Sequence, residues 1–190
     1  KITITAGEVT FNGNLQVKGE ASSVVEVKPG ATFTLAGNAS VKQQSETNSV
    51  QAVFSKEGGT VVIEGGNVVG GYYGINNQSG EVTVTSGTVT GTYAGIYSSS
   101  ALTVTGGEIT GGNYGVRVME ATGSADISDS ANIKGNTAMQ VGSGAIANIS
   151  GGCIGSDSSP TSLWNSGTAT LTGGTFNGKV RTSTGGTLNI

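Results

Sequence analysis

The sequence contains no histidine, a single cysteine and few charged residues. Without histidine the chain lacks the usual general base, the commonest metal ligand and any serine or cysteine dyad that depends on imidazole. Hydrolytic chemistry would therefore have to rest on carboxylates. The single cysteine, Cys153, cannot form an internal disulfide, and its position beside Ile154 predicts a buried, unreactive thiol.

The sparse charge and the absence of long apolar runs limit the partners of the chain. Charged residues make up 11% of the sequence and the net charge is -3, with no cluster of Lys or Arg. Attraction to a nucleic acid is therefore not expected. No apolar run has the length that spans a bilayer, and the first residues show neither a secretory signal nor a lipidation motif. We expect no membrane contact within this segment.

What the sequence has in abundance is glycine, which recurs within a repeat of about 21 residues. The clearest copies read VTVTSGTVTGTYAGIYSSSA from Val82 and LTVTGGEITGGNYGVRVMEA from Leu102. Each copy contains three short runs in which apolar residues alternate with others, a period that is typical of strands and not of helices. The 34 glycines would destabilise helices, and their fixed places between the runs predict tight bends.

Aligning the copies places the apolar residues in three columns, which we name A, B and C. Column A contains Ile2, Phe33, Val61, Val82, Leu102, Ala125, Ala147, Ala169 and Leu188, each followed two residues later by a second apolar residue. Column B contains Val9, Val68, Val89, Ile109, Ile133 and Phe176. Column C contains Val25, Val53, Ile75, Ile96, Val116, Met139, Leu163 and Val180. Each column predicts one strand per repeat, with its apolar side chains facing inward.

These columns predict an all-β fold in which the chain winds as a single-stranded, right-handed parallel β-helix. We expect about eight coils of roughly 21 residues, with three short strands per coil and a rod on the order of 40 Å long. Residues 1–190 form a single domain in this interpretation. Because the chain starts at Lys1 and stops within a coil at Ile190, we expect a fragment of a longer protein. Longer connections are predicted at residues 12–23, 43–49 and 156–162.

Copies such as VTVTSGTVTG, LTVTGGEITGGNYGV and ATLTGGTFNG resemble the Gly- and Thr-rich repeats of right-handed parallel β-helix regions in large exported bacterial surface proteins, many of them adhesin-like. The resemblance covers nearly the whole chain and is one of repeat style. The same coil, in the pectate-lyase-like superfamily, builds pectate lyases, polygalacturonases and phage tailspikes. The resemblance implies an extracellular or cell-surface location and a role as a stalk or adhesin, although a fold does not fix a chemistry.

The carboxylates are the only groups that could carry a lyase or hydrolase chemistry. The resemblance to β-helix pectate lyases would require grouped Asp ligands for calcium and a catalytic Arg, and polygalacturonases would require several Asp with a His. Neither set is present. The three Asp residues are Asp126, Asp129 and Asp157. A calcium site near Asp126 and Asp129 is one hypothesis, and the simpler interpretation is that these residues form a corner exposed to solvent. We expect no enzyme activity and no cofactor.

Threonines on the outward side of column A offer a different hypothesis. They include Thr3, Thr83, Thr103 and Thr170. Such a rank resembles the flat Thr rows of insect ice-binding solenoids, which need regularity over several coils. Here it is interrupted at Val62, Asp126 and Asn148. β-branched Thr is also favoured on any exposed strand, which gives the simpler explanation.

The outward neighbours of column C form a more varied row of aromatic, amide and charged side chains. From it we select a candidate ligand-binding face of Tyr97, Arg117, Gln140, Trp164 and Arg181. Aromatic rings stack on sugar rings, and guanidinium groups hydrogen-bond sugar hydroxyls. The alternative is that neighbouring loops cover Tyr97 and Trp164. Four tyrosines at the corner before column C are expected to pack on one another between coils, namely Tyr72, Tyr73, Tyr93 and Tyr114.

The sequence therefore favours a non-enzymatic, extracellular module of a bacterial surface protein. It would serve as a stalk or as an adhesin for a polysaccharide, a host-surface glycan or a host protein. The first alternative is a polysaccharide lyase or hydrolase, active or inactive, which requires a groove with two or more close carboxylates. The second is an ice-binding solenoid.

Overall fold

The computed structural model describes residues 1–17, 22–45 and 50–190, and these ranges contain only strands, turns and loops. The first twelve strands are β1 (Ile2–Ile4), β2 (Gly7–Phe11), β3 (Asn14–Val17), β4 (Ser23–Val27), β5 (Ala31–Leu35), β6 (Ser40–Gln43), β7 (Gln51–Ser55), β8 (Thr60–Gly70), β9 (Tyr73–Asn77), β10 (Glu81–Gly91), β11 (Ala94–Ser98) and β12 (Ala101–Val104). The others are β13 (Glu108–Gly111), β14 (Tyr114–Val118), β15 (Ser124–Ile127), β16 (Asn132–Lys134), β17 (Thr137–Val141), β18 (Ile146–Ile149), β19 (Cys153–Ile154), β20 (Thr161–Asn165), β21 (Thr168–Leu171), β22 (Thr175–Phe176), β23 (Lys179–Thr182) and β24 (Thr187–Asn189). In these ranges no helix has the length and hydropathy needed to cross a membrane.

The strands stack as coils about 22 residues apart, in about eight turns, and their described pairings are parallel. Face C is a sheet of nine strands in the order β1-β4-β7-β9-β11-β14-β17-β20-β23. Face A begins with β2 and β5, and face B begins with β3 and β6. The two faces belong to one sheet because β8 and β10 run through the corner between them. The prediction of an all-β parallel β-helix is confirmed.

The inward columns form one continuous apolar core. On face A, Ile63, Val84 and Val104 are fully buried, and on face C so are Ile75 and Ile96. They stack in register, with Ile75 opposite Ile96 and Val84 opposite Val104. Each coil therefore buries its apolar side chains against the coils on either side, which is how a solenoid is stabilised through contacts between neighbouring repeats.

The predicted assignment of the first coil is wrong. Ile2 belongs to β1 and pairs on face C, whereas Val9, assigned to column B, pairs with Phe33 on face A. Face B begins instead with Leu15, which pairs with Val41. The error has a physical reason. Apolar residues alternate with a period of two on every face, so a short apolar run at the start of the chain does not show which face it belongs to.

All three predicted long connections contain strand residues. In the first, β3 occupies Asn14–Val17, and residues 18–21 lie outside the described residues. In the second, β6 extends to Gln43, and residues 46–49 again lie outside the described residues. In the third, β20 begins at Thr161. The connections are therefore shorter than the sequence predicts.

Cys153 is not buried as predicted. It is half-buried in β19, and its Sγ accepts a hydrogen bond from Asn177 Nδ2 at 3.1 Å. The adjacent Ile154 is fully buried. Because neighbouring side chains on a strand point to opposite faces, the burial of Ile154 turns the thiol outward.

Candidate functional site

The outward position of the face C strands forms a continuous row, which we call the face C row. It contains Glu26, Phe54, Asn76, Tyr97, Arg117, Gln140, Trp164 and Arg181, each paired in register with the next. The order that the sequence predicts for Tyr97, Arg117, Gln140, Trp164 and Arg181 is confirmed. Successive members lie about one strand spacing apart, roughly 4.8 Å, because parallel pairing carries the row from coil to coil.

Part of face C is hollowed into a depression with a volume of about 480 Å³. We call it the face C depression. It is lined by Ser22, Gln51, Phe54, Tyr73, Asn76, Gln78, Tyr97 and Arg117. This lining combines three aromatic rings, three side-chain amides and one guanidinium, and none of these described residues carries a carboxylate.

Five tyrosines pack together beside and within the depression, and we call them the tyrosine cluster. Tyr72 and Tyr93 stack with ring centroids 4.5 Å apart and planes within 3°, because they occupy the same corner in consecutive coils. Tyr73 meets the edge of Tyr72 at 4.7 Å and tilts against Tyr97 at 5.4 Å. Tyr114 contacts Tyr93 at 5.4 Å. The predicted packing of the corner tyrosines is confirmed, and it holds the Tyr97 ring at the depression.

Arg117 is held over this cluster by its guanidinium. The guanidinium carbon lies 4.9 Å from the centroid of Tyr114, 5.8 Å from that of Tyr93 and 6.0 Å from that of Tyr97. Its Nε donates a hydrogen bond of 2.6 Å to Gln140 Oε1, and one Nη donates to the Tyr93 hydroxyl at 3.2 Å. No ion pair joins it to a carboxylate among the described residues. Its charge is therefore stabilised by aromatic faces and neutral acceptors.

Asn76 contributes an amide to the floor of the depression. The residue is 7% exposed, and its Nδ2 donates to Gln51 Oε1 across a long contact of 3.5 Å. Its Oδ1 is buried and has no hydrogen-bond partner among the described residues. A buried acceptor without a donor costs about 1–3 kcal/mol.

Three ionisable groups in or beside the row have shifted pKa values, and each shift has a physical cause. Burial raises the pKa of Tyr73 to about 12, and the charges of neighbouring tyrosines add to this effect. Burial also raises the pKa of Tyr72. At the first residue of the row, hydrogen bonds from Lys1 and Lys28 lower the pKa of Glu26. The depression therefore presents neutral phenol and amide groups together with one cation.

The pKa of Tyr73 can be tested by alkaline titration. We expect the tyrosinate absorbance of the folded protein to contain a late step near pH 12, and Tyr73→Phe to remove that step. Because an ordinary tyrosine ionises near pH 10.0, the unfolded chain releases this proton first. The free energy of unfolding should therefore fall as the pH rises between these values, and less steeply in Tyr73→Phe. A folded wild type whose tyrosines all titrate near pH 10.0 would contradict the buried environment.

The five predicted site residues divide between the depression and its surroundings. Tyr97 and Arg117 line the depression, and Gln140 contacts Arg117. Trp164 and Arg181 continue the row outside it and are both exposed. Trp164 is 40% exposed, so the alternative in which a loop covers its ring is wrong.

Sequence reasoning selected only two of the residues that line the depression. The lining residues that it did not select for the site are Ser22, Gln51, Phe54, Tyr73, Asn76 and Gln78. Gln51 and Tyr73 pair in register at the first position of their strands, two residues before the core position. Alternation assigns this position to the inward side of the strand, as it does the core residue two positions later, so the sequence pattern did not mark these two residues as lining a surface site. Gln78 follows the end of β9 and belongs to no strand, so alternation gives no signal for it.

The aspartates on face A and at its corner have separate partners. Asp126 Oδ1 accepts a hydrogen bond from Asn148 Nδ2 at 2.9 Å, and Asp129 Oδ2 accepts one from Ser128 Oγ at 3.2 Å. Asp129 has a φ of 50°, the left-handed conformation that a sharp corner requires. Within the described part of the chain, no group of three His, Cys, Asp or Glu side chains could hold a metal ion.

The threonine rank on face A is interrupted as the sequence predicts. Its rungs run through Thr34, Val62, Thr83, Thr103, Asp126, Asn148 and Thr170. Thr3 is an exception to the predicted rank, because it pairs with Glu26 on face C. Thr side chains on adjacent rungs therefore occur in pairs such as Thr83 and Thr103, and a flat rank over several coils is not formed.

Comparison with known proteins gives no match: no family model, curated protein or solved structure matches this chain. The relation to adhesin-like and pectate-lyase-like proteins therefore stays a resemblance of repeat style. Any function has to be argued from the chemistry of the β-helix itself, and on face C that chemistry is concentrated in the depression and the row that continues from it.

Proposed function

We propose that this chain is a non-enzymatic, extracellular β-helix module that binds a glycan through the face C depression. The observation that carries the proposal is the meeting of aromatic rings, amides and a guanidinium without a lining carboxylate among the described residues. The β-helix acts as a rigid support that holds these groups on successive coils.

The chemistry of a sugar ring fits this combination of groups. A pyranose has faces of C–H groups that pack on aromatic rings, and edges of hydroxyls that hydrogen-bond amides and guanidinium groups. Phe54, Tyr73 and Tyr97 supply the rings, and Asn76 and Gln51 supply amides close to them. The volume of about 480 Å³ lies in the range of small-molecule sites, about 300–1,000 Å³.

The rigidity of the site supports recognition over catalysis. Tyr97 is fixed by ring contacts, and Arg117 is fixed by two hydrogen bonds and three aromatic faces. Preorganised side chains lose little conformational entropy when they bind, so a shallow site can still give useful affinity. The extracellular location and the bacterial surface rest on the resemblance of the repeats. A rod of stacked coils would hold such a site away from a cell wall.

A glycan-array experiment with point variants tests this proposal. We expect the wild type to bind at least one glycan, and Tyr97→Ala and Arg117→Ala to weaken that binding about tenfold or more, because each removes a fixed contact from the site. Thr103→Ala, on the outward side of face A, is the matched control and should bind as the wild type does. Circular dichroism on every variant establishes that the fold is retained.

Three outcomes would contradict the proposal. One is undiminished binding of the same glycan by both face C variants. Another is turnover of the bound glycan, detected as new reducing ends or unsaturated products, because this would make the protein an enzyme. The third is a wild type that binds no glycan on a broad array, which would leave only a role as a stalk.

A further inference from the structure

We infer that the glycan is a linear polysaccharide that lies along the axis of the β-helix, from the face C depression to a second aromatic contact at Trp164. This inference rests on the proposed function and names the class of glycan. It distinguishes a chain that is gripped at several sugars from a terminal or branched sugar that is held only in the depression.

The first argument is the alignment of the two aromatic contacts. Tyr97 and Trp164 belong to the same row, and the rungs between them are Arg117 and Gln140. Three strand spacings separate the two aromatic residues, a distance of about 14 Å. One sugar unit advances a polysaccharide by a length close to one strand spacing of about 4.8 Å. A chain of about four sugars would therefore reach from one ring to the other.

The second argument is that the Trp164 side chain is exposed and held in one orientation. Its side chain is 40% exposed although tryptophan is the largest apolar side chain of the chain. Its Nε1 donates a hydrogen bond of 2.9 Å to Ser183 Oγ, just after β23 in the following coil. The polar edge of the indole is therefore satisfied and its orientation is restrained, while apolar ring surface faces solvent. A tethered, exposed indole on a flat strand is suited to stack on a sugar face.

The third argument is that the rungs between the rings can hydrogen-bond a sugar chain. Gln140 uses Oε1 to accept from Arg117 Nε, which leaves its amide NH₂ without a partner among the described residues. Beyond Trp164, the guanidinium of Arg181 is exposed and has no ion pair with a described carboxylate. Donors thus lie on both sides of Trp164 and can meet the hydroxyls of a chain that runs over it.

Binding as a function of chain length tests the inference. The probes are size-defined oligosaccharides, from disaccharide to hexasaccharide, of β-1,4-linked glucose, β-1,4-linked N-acetylglucosamine, β-1,3-linked glucose and α-1,4-linked galacturonate. For at least one series we expect affinity to rise about tenfold between the disaccharide and the tetrasaccharide or pentasaccharide, as the second ring is reached. Trp164→Ala should abolish that rise. Trp164→Phe should retain most of it.

The controls separate this inference from the proposed function. Thr170→Ala, on face A, should show the same dependence on length as the wild type, and Tyr97→Ala should weaken every length. Affinity that does not depend on length, or a dependence that survives Trp164→Ala, overturns the linear-chain inference and leaves a glycan site in the depression. Binding only to branched or terminal glycans has the same meaning. Absence of binding to every linear, branched and terminal glycan overturns both.

Discussion

Gly95→Val is expected to abolish cooperative folding of the central coils. Gly95 lies in β11 on face C, in a buried position where the sheet packs on the other faces. A Cβ added here would lie 2.6 Å from Ile109 Cγ2, 2.8 Å from the carbonyl oxygen of Gly115 and 3.0 Å from that of Thr110. Two of these three atoms belong to backbone that is fixed by pairing on both sides, so the clash cannot be relieved by a rotamer change.

The expected loss of stability exceeds about 3 kcal/mol, because overpacking a closed core costs about 1–3 kcal/mol even where side chains can move. The measurement is chemical denaturation followed by far-ultraviolet circular dichroism. Gly13→Val is the matched control, because a Cβ at Gly13 meets only ring atoms of Phe11 at 3.5 Å and 3.8 Å. We expect that change to stay within about 1 kcal/mol of the wild type. Equal denaturation midpoints for the two variants would show that the buried position of Gly95 tolerates a side chain.

The recurrence of glycines like Gly95 at one position of each repeat also explains how much of the fold could be predicted. Glycines such as Gly95 and Gly115 recur at one phase of the repeat, and the apolar alternation recurs with them. Parallel pairing transfers this regularity directly into space, so the sequence is sufficient for the coil, the faces and the order of the face C row. The prediction failed at Ile2 and Val9, where a coil is entered without a preceding copy to align it.

The site is less predictable than the fold because it depends on corners. Tyr97 and Arg117 follow from the register of a single row. The depression, however, is formed where that row meets Tyr73 at a strand start and Gln78 beyond a strand end. How far a corner side chain leans over the next coil is decided by ring packing and not by alternation. Cys153 shows the same limit, because its half-buried environment depends on Asn177 in the following coil.

Asn77→Leu is expected to destabilise the protein by about 3 kcal/mol or more. Asn77 is fully buried at the end of β9, where the chain turns from face C toward face A. Its Nδ2 donates to the carbonyl oxygens of Gly80 and Ala101, both at 3.0 Å, and to Ser98 Oγ at 3.1 Å. Its Oδ1 accepts from the Gly80 backbone N–H at 2.9 Å. Leucine has a similar size, so the change removes hydrogen bonds and leaves buried backbone groups without partners.

A buried asparagine also bonds backbone groups at a corner near the C-terminal end of the β-helix, and it provides a comparison within the same protein. Asn165 is also fully buried, accepts from the Gly167 N–H at 3.0 Å and donates to the Thr187 carbonyl oxygen at 2.7 Å. Because it has fewer partners, Asn165→Leu should cost less than Asn77→Leu. Asn148→Leu removes only an exposed hydrogen bond and should change the free energy of unfolding by less than about 0.5 kcal/mol. Denaturation midpoints in any other order would mean that the corner amides do not lock one coil to the next.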